Sequence, residues 1–192
     1  MELLDFIIQK DHELMIFLNN LGSETWDLFW IKVTDKKSWI PLFALLIYLI
    51  FKAFGTKKGF AILLMVAVAI TFADQFTNLI KNTFERIRPC NDPSIYEQLR
   101  ILHKSADFSF FSGHAANSFA NTTFLFLLLR KYYKYIGLLF IWPILFAYSR
   151  VYIGVHYPLD IFSGMIFGLL SGFIFYKISM KILNSIDLKH KI

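Results

Sequence analysis

Apolar residues in this chain are grouped into long stretches and do not alternate with the short period of exposed strands. Five stretches approach the ~20 residues that a helix needs to cross a bilayer. They are residues 39–54, 59–80, 115–129, 135–148 and 159–180. The third and fourth are short, so flanking aromatic residues would have to complete them. This pattern predicts a bundle of membrane-spanning helices.

The first 35 residues have a different pattern. Residues 2–19 could form one apolar stripe, but the polar run from Gln9 to Glu13 argues against a full span and favours a helix lying in the interface. A second short helix, about residues 25–33, carries Trp26 and Trp30 four residues apart, as interface anchors do. We therefore expect an all-α polytopic membrane bundle of five to six transmembrane helices plus an N-terminal amphipathic helix. Residues 1–192 would form a single integral-membrane domain.

Composition supports a membrane protein and narrows its partners. The chain is 56% hydrophobic and 18% aromatic, with a mean hydropathy of +0.51, which is unusual for a soluble domain. A net charge of +6 would suit nucleic acid or an anionic membrane face. In so apolar a chain the membrane is the better explanation, because lysine and arginine collect at the ends of spans. We predict a bilayer partner and no nucleic acid.

Five spans would place residues 81–111 and 150–158 on one side of the membrane. The short basic segments 52–58 and 130–134, and the tail after residue 180, would lie on the other side. By the positive-inside rule the second side is cytoplasmic, once the cations assigned to chemistry below are discounted. The sequence thus predicts a cytoplasmic (inner) membrane protein whose loop 81–113 and active site face the periplasm or the outside.

Chemistry-bearing residues form three clusters on that outer side. Lys81 and Arg88 stand seven residues apart and are expected to share one helical face. Ser112, Gly113 and His114 directly precede the third span. There, serine would cap the helix and the free backbone N–H groups would form an anion site.

The third cluster contains Arg150, His156 and Asp160 within eleven residues. His156 and Asp160 are four apart, so they share a face if a helix starts here, and the carboxylate would then fix the imidazole tautomer. Pro158 is compatible with a first helical turn.

Each cluster alone could be ordinary: basic residues extending to the interface, a capped helix, or an interfacial aromatic and histidine group. Arg86 fits that ordinary explanation and is left there. Together the clusters supply three fixed cations, a backbone anion site, two histidines and one carboxylate. Phosphoryl transfer requires such a set.

These motifs resemble the type 2 phosphatidic acid phosphatase family, whose superfamily includes bacterial acid phosphatases and vanadium haloperoxidases. The family has lysine, six residues, then arginine-proline; proline-serine-glycine-histidine; and serine-arginine, five residues, histidine, three residues, aspartate. The matching residues are Lys81, Arg88 and Pro89, then Ser112, Gly113 and His114, then Ser149, Arg150, His156 and Asp160. Phe111 stands where proline is usual, which removes a φ constraint but no catalytic group.

The resemblance implies a role for each matching residue. His156 would be the nucleophile that forms a phosphohistidine, and Asp160 would orient its ring. His114 would protonate the leaving oxygen and then activate water. The phosphoryl oxygens would be bound by Lys81, Arg88, Arg150, Ser112 and the Gly113 amide. No metal and no cofactor are implied.

The resemblance also implies a lipid phosphate or diphosphate substrate. Undecaprenyl diphosphate is the leading expectation, with lipid A, phosphatidylglycerophosphate and phosphatidic acid as alternatives. The loop 90–111, through Tyr96, Phe108, Phe110 and Phe111, is expected to decide among them. Two other classes are weighed: a lipid transporter or flippase, and an oxidative enzyme that uses bound vanadate. The sequence makes no prediction about the oligomeric state.

Overall fold

The computed structural model describes residues 2–188, and every regular element in that range is helical. Lys189 and Lys191, which the sequence places on the cytoplasmic side, lie outside the described residues. Short 3₁₀ turns connect the main helices. The helices are α1 Glu2–Asn20, α2 Glu24–Thr34, α3 Ile40–Phe84, α4 Gly113–Leu129, α5 Ile141–Tyr152 and α6 Pro158–Leu188. The prediction of an all-α fold is confirmed.

Helix α3 contains two limbs, because the chain leaves helical geometry at Gly55. That residue has φ 69° and ψ 178°, a conformation that only glycine adopts without strain. Phe51 and Phe60, on either side of the break, meet edge to face with ring centroids 5.2 Å apart. The two limbs correspond to the first two predicted spans.

Among the residues that the structure describes, two helical stretches are long and apolar enough to cross a membrane by length and composition. They are residues 36–91, which include α3, and residues 158–186 in α6. Only 22% and 28% of their most apolar windows are buried within the protein, so these surfaces face outward. Residues 136–152 form a shorter apolar helix. The prediction of five to six spans is therefore supported only for α3 and α6, and the full count stays a prediction.

Close packing of α4 on α6 brings two of the sequence motifs together. Gly164, Gly168 and Gly172 form a stripe on α6 at four-residue spacing, and a Cβ on Gly168 would lie 2.6 Å from the Ala116 carbonyl oxygen. Small residues at this spacing let two helix backbones touch. As a result, the Ser112 amide at the start of α4 donates to the Asp160 carbonyl in the first turn of α6 over 3.1 Å.

Buried hydrogen bonds of Asn19 attach α1 to the loop before α4 and to the last turn of α5. Asn19 is fully buried. Its amide donates to the carbonyls of Arg100, Val151 and Tyr152 at 3.1, 3.1 and 2.9 Å, and its oxygen accepts from the Arg100 amide at 2.7 Å. The predicted helices at 2–19 and 25–33 are confirmed to within a residue. Their interfacial position stays a prediction.

The glycine stripe yields a first prediction. Gly168→Ala should destabilise the protein by about 1–3 kcal/mol, because the added methyl group must push α4 away from α6. Thermal unfolding in detergent would measure the loss. The matched control is Gly137→Ala, where a Cβ meets nothing closer than 3.9 Å. Equal stability of the two variants would contradict the proposed contact.

Candidate active site

The three sequence clusters converge on one cavity of about 550 Å³. The cations Lys81, Arg88 and Arg150 line it, and so do both motif histidines, His114 and His156. The cavity continues from this charged end between apolar side chains of α3, α4 and α5. A cluster of cations and histidines and a hydrophobic groove therefore share one space.

Lys81 and Arg88 lie close together, but they do not share one helical face as the sequence predicts. Helix α3 ends at Phe84, Glu85 is left-handed with φ 47°, and Arg88 is extended. The expectation of a shared helical face is therefore wrong. Instead, both side chains reach the same oxygen of Asp107, with Lys81 Nζ at 3.3 Å and Arg88 Nη2 at 2.9 Å from Oδ2.

His156 lies in the loop before α6, which begins at Pro158, so the pair with Asp160 does not share a helical face. The expected contact nevertheless forms, with His156 Nδ1 3.2 Å from Asp160 Oδ2. The Tyr157 amide donates to the same oxygen at 3.0 Å. A proton on Nδ1 leaves the lone pair on Nε2, and Nε2 lies 3.1 Å from Arg88 Nη1. The nitrogen with the free lone pair thus lies beside a guanidinium group.

Burial and charge set the protonation of the groups outside the helices. Burial lowers the pKa of His156 well below its ordinary value, and the positive charges of Arg88 and Arg150 lower it further. Burial raises the pKa of Asp107. The hydrogen bond from Ser105 and the charges of Arg88 and Lys81 outweigh that effect and hold this pKa below its ordinary value. The loop before α4 therefore presents a carboxylate at Asp107, and the loop before α6 presents a neutral imidazole at His156.

Backbone and side-chain acceptors orient the two arginines. Arg88 donates from Nε to the Asp107 carbonyl and from Nη1 to the Val155 carbonyl, each at 2.8 Å. Arg150 donates from Nη1 to Thr34 Oγ1 at 2.7 Å. The contacts of Arg88 fix its guanidinium plane, so little side-chain freedom is left to lose if an anion binds there.

The second cluster is divided between capping and the cavity. Ser112 Oγ accepts from the Ala115 amide at 3.4 Å as the N-cap of α4, and its side chain is fully buried. It is not part of the cavity wall, whereas Gly113 and His114 are. The His114 ring packs against Phe146 with centroids 5.0 Å apart.

Arg86 is not an interface-seeking cation, and the earlier interpretation is wrong. Its Nη1 lies 2.8 Å from Asp160 Oδ1, its Nη2 lies 2.6 Å from Asp11 Oδ2, and its guanidinium stacks 3.9 Å from the Tyr157 ring centroid. Asp11 also accepts from the Leu159 amide at 2.8 Å. In the sequence, the only sign of this contact is a polar residue, Asp11, within the amphipathic N-terminal helix and 75 positions before Arg86.

The aromatic residues of loop 90–111, which were expected to decide among the lipid substrates, are not part of the cavity wall. Phe110 packs on Phe84 at 5.2 Å, and Phe111, which is 5% exposed, packs on Phe167 at 5.2 Å. Ser105 and Asp107 are the loop residues in the cavity wall. Within residues 2–188, no three His, Cys, Asp or Glu side chains converge as metal ligands. The absence of a metal requirement stays a prediction.

The double ion pair of Arg86 gives a second prediction. Arg86→Lys keeps the charge but cannot bridge two carboxylates, so Asp160 and the His156 ring should lose their fixed orientation. We expect kcat to fall about tenfold with KM changed less than about twofold, since Arg86 does not line the cavity. Steady-state phosphate release would measure both constants.

Arg100→Lys is the matched control for this variant, because Arg100 makes a two-oxygen pair with Asp27 at 3.0 and 2.8 Å outside the site. Its kcat should stay near that of the unaltered protein. If both lysine variants lost kcat equally, the effect would be one of general stability.

Comparison with known proteins gives the family. Residues 58–183 match the model of the PAP2 superfamily. A lipid A 4'-phosphatase of Bacteroides thetaiotaomicron is 34% identical over 94% of this chain and 81% of its own length. An undecaprenyl-diphosphatase of Sulfolobus acidocaldarius is 32% identical over 81% of this chain and 64% of its own length.

A solved structure supports the fold. The transmembrane PAP2-type phosphatidylglycerolphosphate phosphatase from Bacillus subtilis superposes with a TM-score of 0.72 at 22% identity. The superposition covers 92% of this chain and 87% of that one. Together with the outward-facing apolar helices α3 and α6, these matches identify the chain as a member of the PAP2 superfamily, a membrane lipid phosphatase and hydrolase.

Proposed function

We propose that this protein removes a phosphate group from lipid A. The observation that carries the proposal is the similarity to a lipid A 4'-phosphatase along nearly the whole chain. The undecaprenyl-diphosphatase relative matches a smaller share of both chains. Undecaprenyl diphosphate, the first expectation from sequence, therefore becomes the second candidate.

We propose that His156 Nε2 attacks phosphorus, because Asp160 holds the opposite ring nitrogen and Arg88 lies beside the attacking one. A P–N bond forms while the bond from phosphorus to the lipid oxygen breaks. His114 gives its proton to that oxygen. His114 then takes a proton from water, whose oxygen attacks phosphorus, and inorganic phosphate leaves with His156 restored.

Positive charge supports this proposed reaction. Lys81, Arg88 and Arg150 line the cavity around His156, and the Gly113 amide lies at the positive end of α4. These donors would stabilise charge on the equatorial oxygens of the transferring group. Ser112 supports them as the cap of α4 rather than by direct contact, since its side chain lies outside the cavity wall.

We also propose a topology for the chain. The two limbs of α3 together with α4, α5 and α6 would supply five spans, and the cavity would open on the periplasmic or outer side of the cytoplasmic membrane. Helix α1 would lie in that interface, because Leu3, Leu4 and Phe6 on its outer face are more than half exposed. The whole of residues 1–192 would act as one domain.

A substrate panel tests the proposed activity. Purified protein in detergent should release phosphate from lipid A with a higher kcat/KM than from undecaprenyl diphosphate, phosphatidylglycerophosphate or phosphatidic acid. His156→Gln should reduce the rate at least about a thousandfold, because no nucleophile remains. Equal phosphate release by this variant would exclude the histidine mechanism, and highest activity on undecaprenyl diphosphate would select the second candidate.

The pH dependence of the rate tests whether His156 attacks as a neutral imidazole. His156 attacks only when neutral, and its lowered pKa keeps it neutral below the ordinary value of 6.5. We therefore expect the acid limb of kcat/KM to have its midpoint below 6.5.

This profile should be measured as kcat/KM, which reports the free protein, and corrected for the ionisation of the phosphate monoester at about pH 6. The range should run from about pH 4 to about pH 9. An acid limb at or above 6.5 would show that His156 is not shielded as described. His114→Gln is the control and should keep the midpoint of the acid limb, because His156 is unaltered in it.

A further inference from the structure

Beyond its charged end, the cavity is lined by apolar side chains and by the polar residues Asp74, Thr77, Asn78, Asn117, Ser118 and Asn121. Three of these, Asp74 on α3 and Asn117 and Asn121 on α4, are linked by hydrogen bonds into one polar patch. Gly113, Asn117 and Asn121 follow at four-residue spacing on one face of α4. The two asparagines therefore lie about 6 and about 12 Å along the helix from the Gly113 anion site.

Hydrogen bonds inside this patch occupy both amide hydrogens of Asn117 and one of the two of Asn121. Asn117 Nδ2 donates to Asp74 Oδ1 at 2.6 Å and to the Gly113 carbonyl at 3.2 Å. Asn121 Nδ2 donates to the Asn117 carbonyl at 2.9 Å. Because the partners are carboxylate or carbonyl oxygens, which only accept, the orientation of both amide groups is fixed.

Acceptors remain without partners in the same patch. Within residues 2–188, the buried Oδ1 atoms of Asn117 and Asn121 accept no hydrogen bond. Asn121 is 7% exposed, and a buried polar group without a partner is costly, more so at membrane depth. Asp74 adds a carboxylate that is not buried by protein. These three side chains therefore offer more free acceptors than free donors, with one amide hydrogen of Asn121 still available.

We propose that Asp74, Asn117 and Asn121 form a specificity subsite for the lipid part of the substrate. The group they select is a hydrogen-bond donor, a hydroxyl or a secondary amide N–H, attached within about two helical turns of the phosphate. This inference rests on the proposed function, because it assumes that phosphate binds at Lys81, Arg88 and Arg150. A polyprenyl chain has no such donor, whereas N-acylated and hydroxyacylated lipids have.

A matched pair of lipids tests the subsite. Ceramide 1-phosphate and phosphatidic acid are both phosphate monoesters with two hydrocarbon chains, but only the ceramide lipid carries an amide N–H and a hydroxyl beside the phosphate. The unaltered protein should prefer ceramide 1-phosphate in kcat/KM by about tenfold, the ratio expected from one or two hydrogen bonds. A 3-deoxyceramide 1-phosphate arm separates the amide from the hydroxyl. No preference would overturn the proposal.

Variants locate the preference. Asn121→Leu and Asp74→Leu should bring the ratio of the two kcat/KM values close to one, because leucine keeps the volume and removes the acceptors. The ratio is taken on one preparation, so a partial loss of active protein cancels. Asn121→Ala serves where the leucine variant yields no folded protein. Asn82→Leu, on α3 and outside the cavity wall, is the matched control and should keep the ratio of the unaltered protein.

The outcomes separate the two proposals. Failure of lipid A as a substrate would overturn the proposed function but would leave the ratio for the ceramide and glycerol lipids to decide the subsite. An unchanged ratio in Asn121→Leu and Asp74→Leu would overturn the subsite and leave the lipid A activity standing.

Discussion

The fully buried carboxylate of Asp160 joins the three parts of the site. Its Oδ2 contacts His156 Nδ1 and the Tyr157 amide, its Oδ1 binds Arg86, and its backbone carbonyl accepts from Ser112. The carboxylate lies in the first turn of α6, where the helix dipole favours negative charge. One residue therefore fixes the imidazole, the start of α4 and the loop after α3 relative to one another.

Charge balance explains why the N-terminal helix belongs to the site. A buried carboxylate is costly unless it is paired and hydrogen-bonded. Arg86 supplies the pair for Asp160, and Asp11 of α1 holds the other end of the same guanidinium. Asp11 and Asp160 are almost completely buried, whereas the Asp107 side chain is 61% exposed. Asp107 is thus the acidic partner in the cavity that can return to water at little cost when a phosphate competes for Lys81 and Arg88.

The sequence predicted which residues share the cavity better than it predicted how they reach it. Motif spacing named His114, His156 and the three cations, because their order along the chain is specific. The sequence predicted that Lys81 and Arg88 share a helical face, and likewise His156 and Asp160. Both faces are absent, because α3 ends at Phe84 and α6 begins after His156. Arg86 and Asp11 were missed because their partners lie far along the chain, and no local pattern encodes such a pair. The four-residue spacing of Gly164, Gly168 and Gly172 is visible in the sequence, but only the fold shows that α4 packs against them.

Recognition of phosphate and recognition of lipid are separate tasks in this architecture. Relatives named for lipid A and for undecaprenyl diphosphate both match this chain, so a phosphate-binding end common to them would not select between these lipids. The walls that continue from Lys81 and Gly113 into the groove can select, because they meet whatever is attached to the phosphate. Polar side chains at that depth are unfavourable in an apolar groove unless a ligand partner compensates them. A hydrogen-bond donor on the lipid, as proposed above, would supply the partner that the Oδ1 atoms of Asn117 and Asn121 lack.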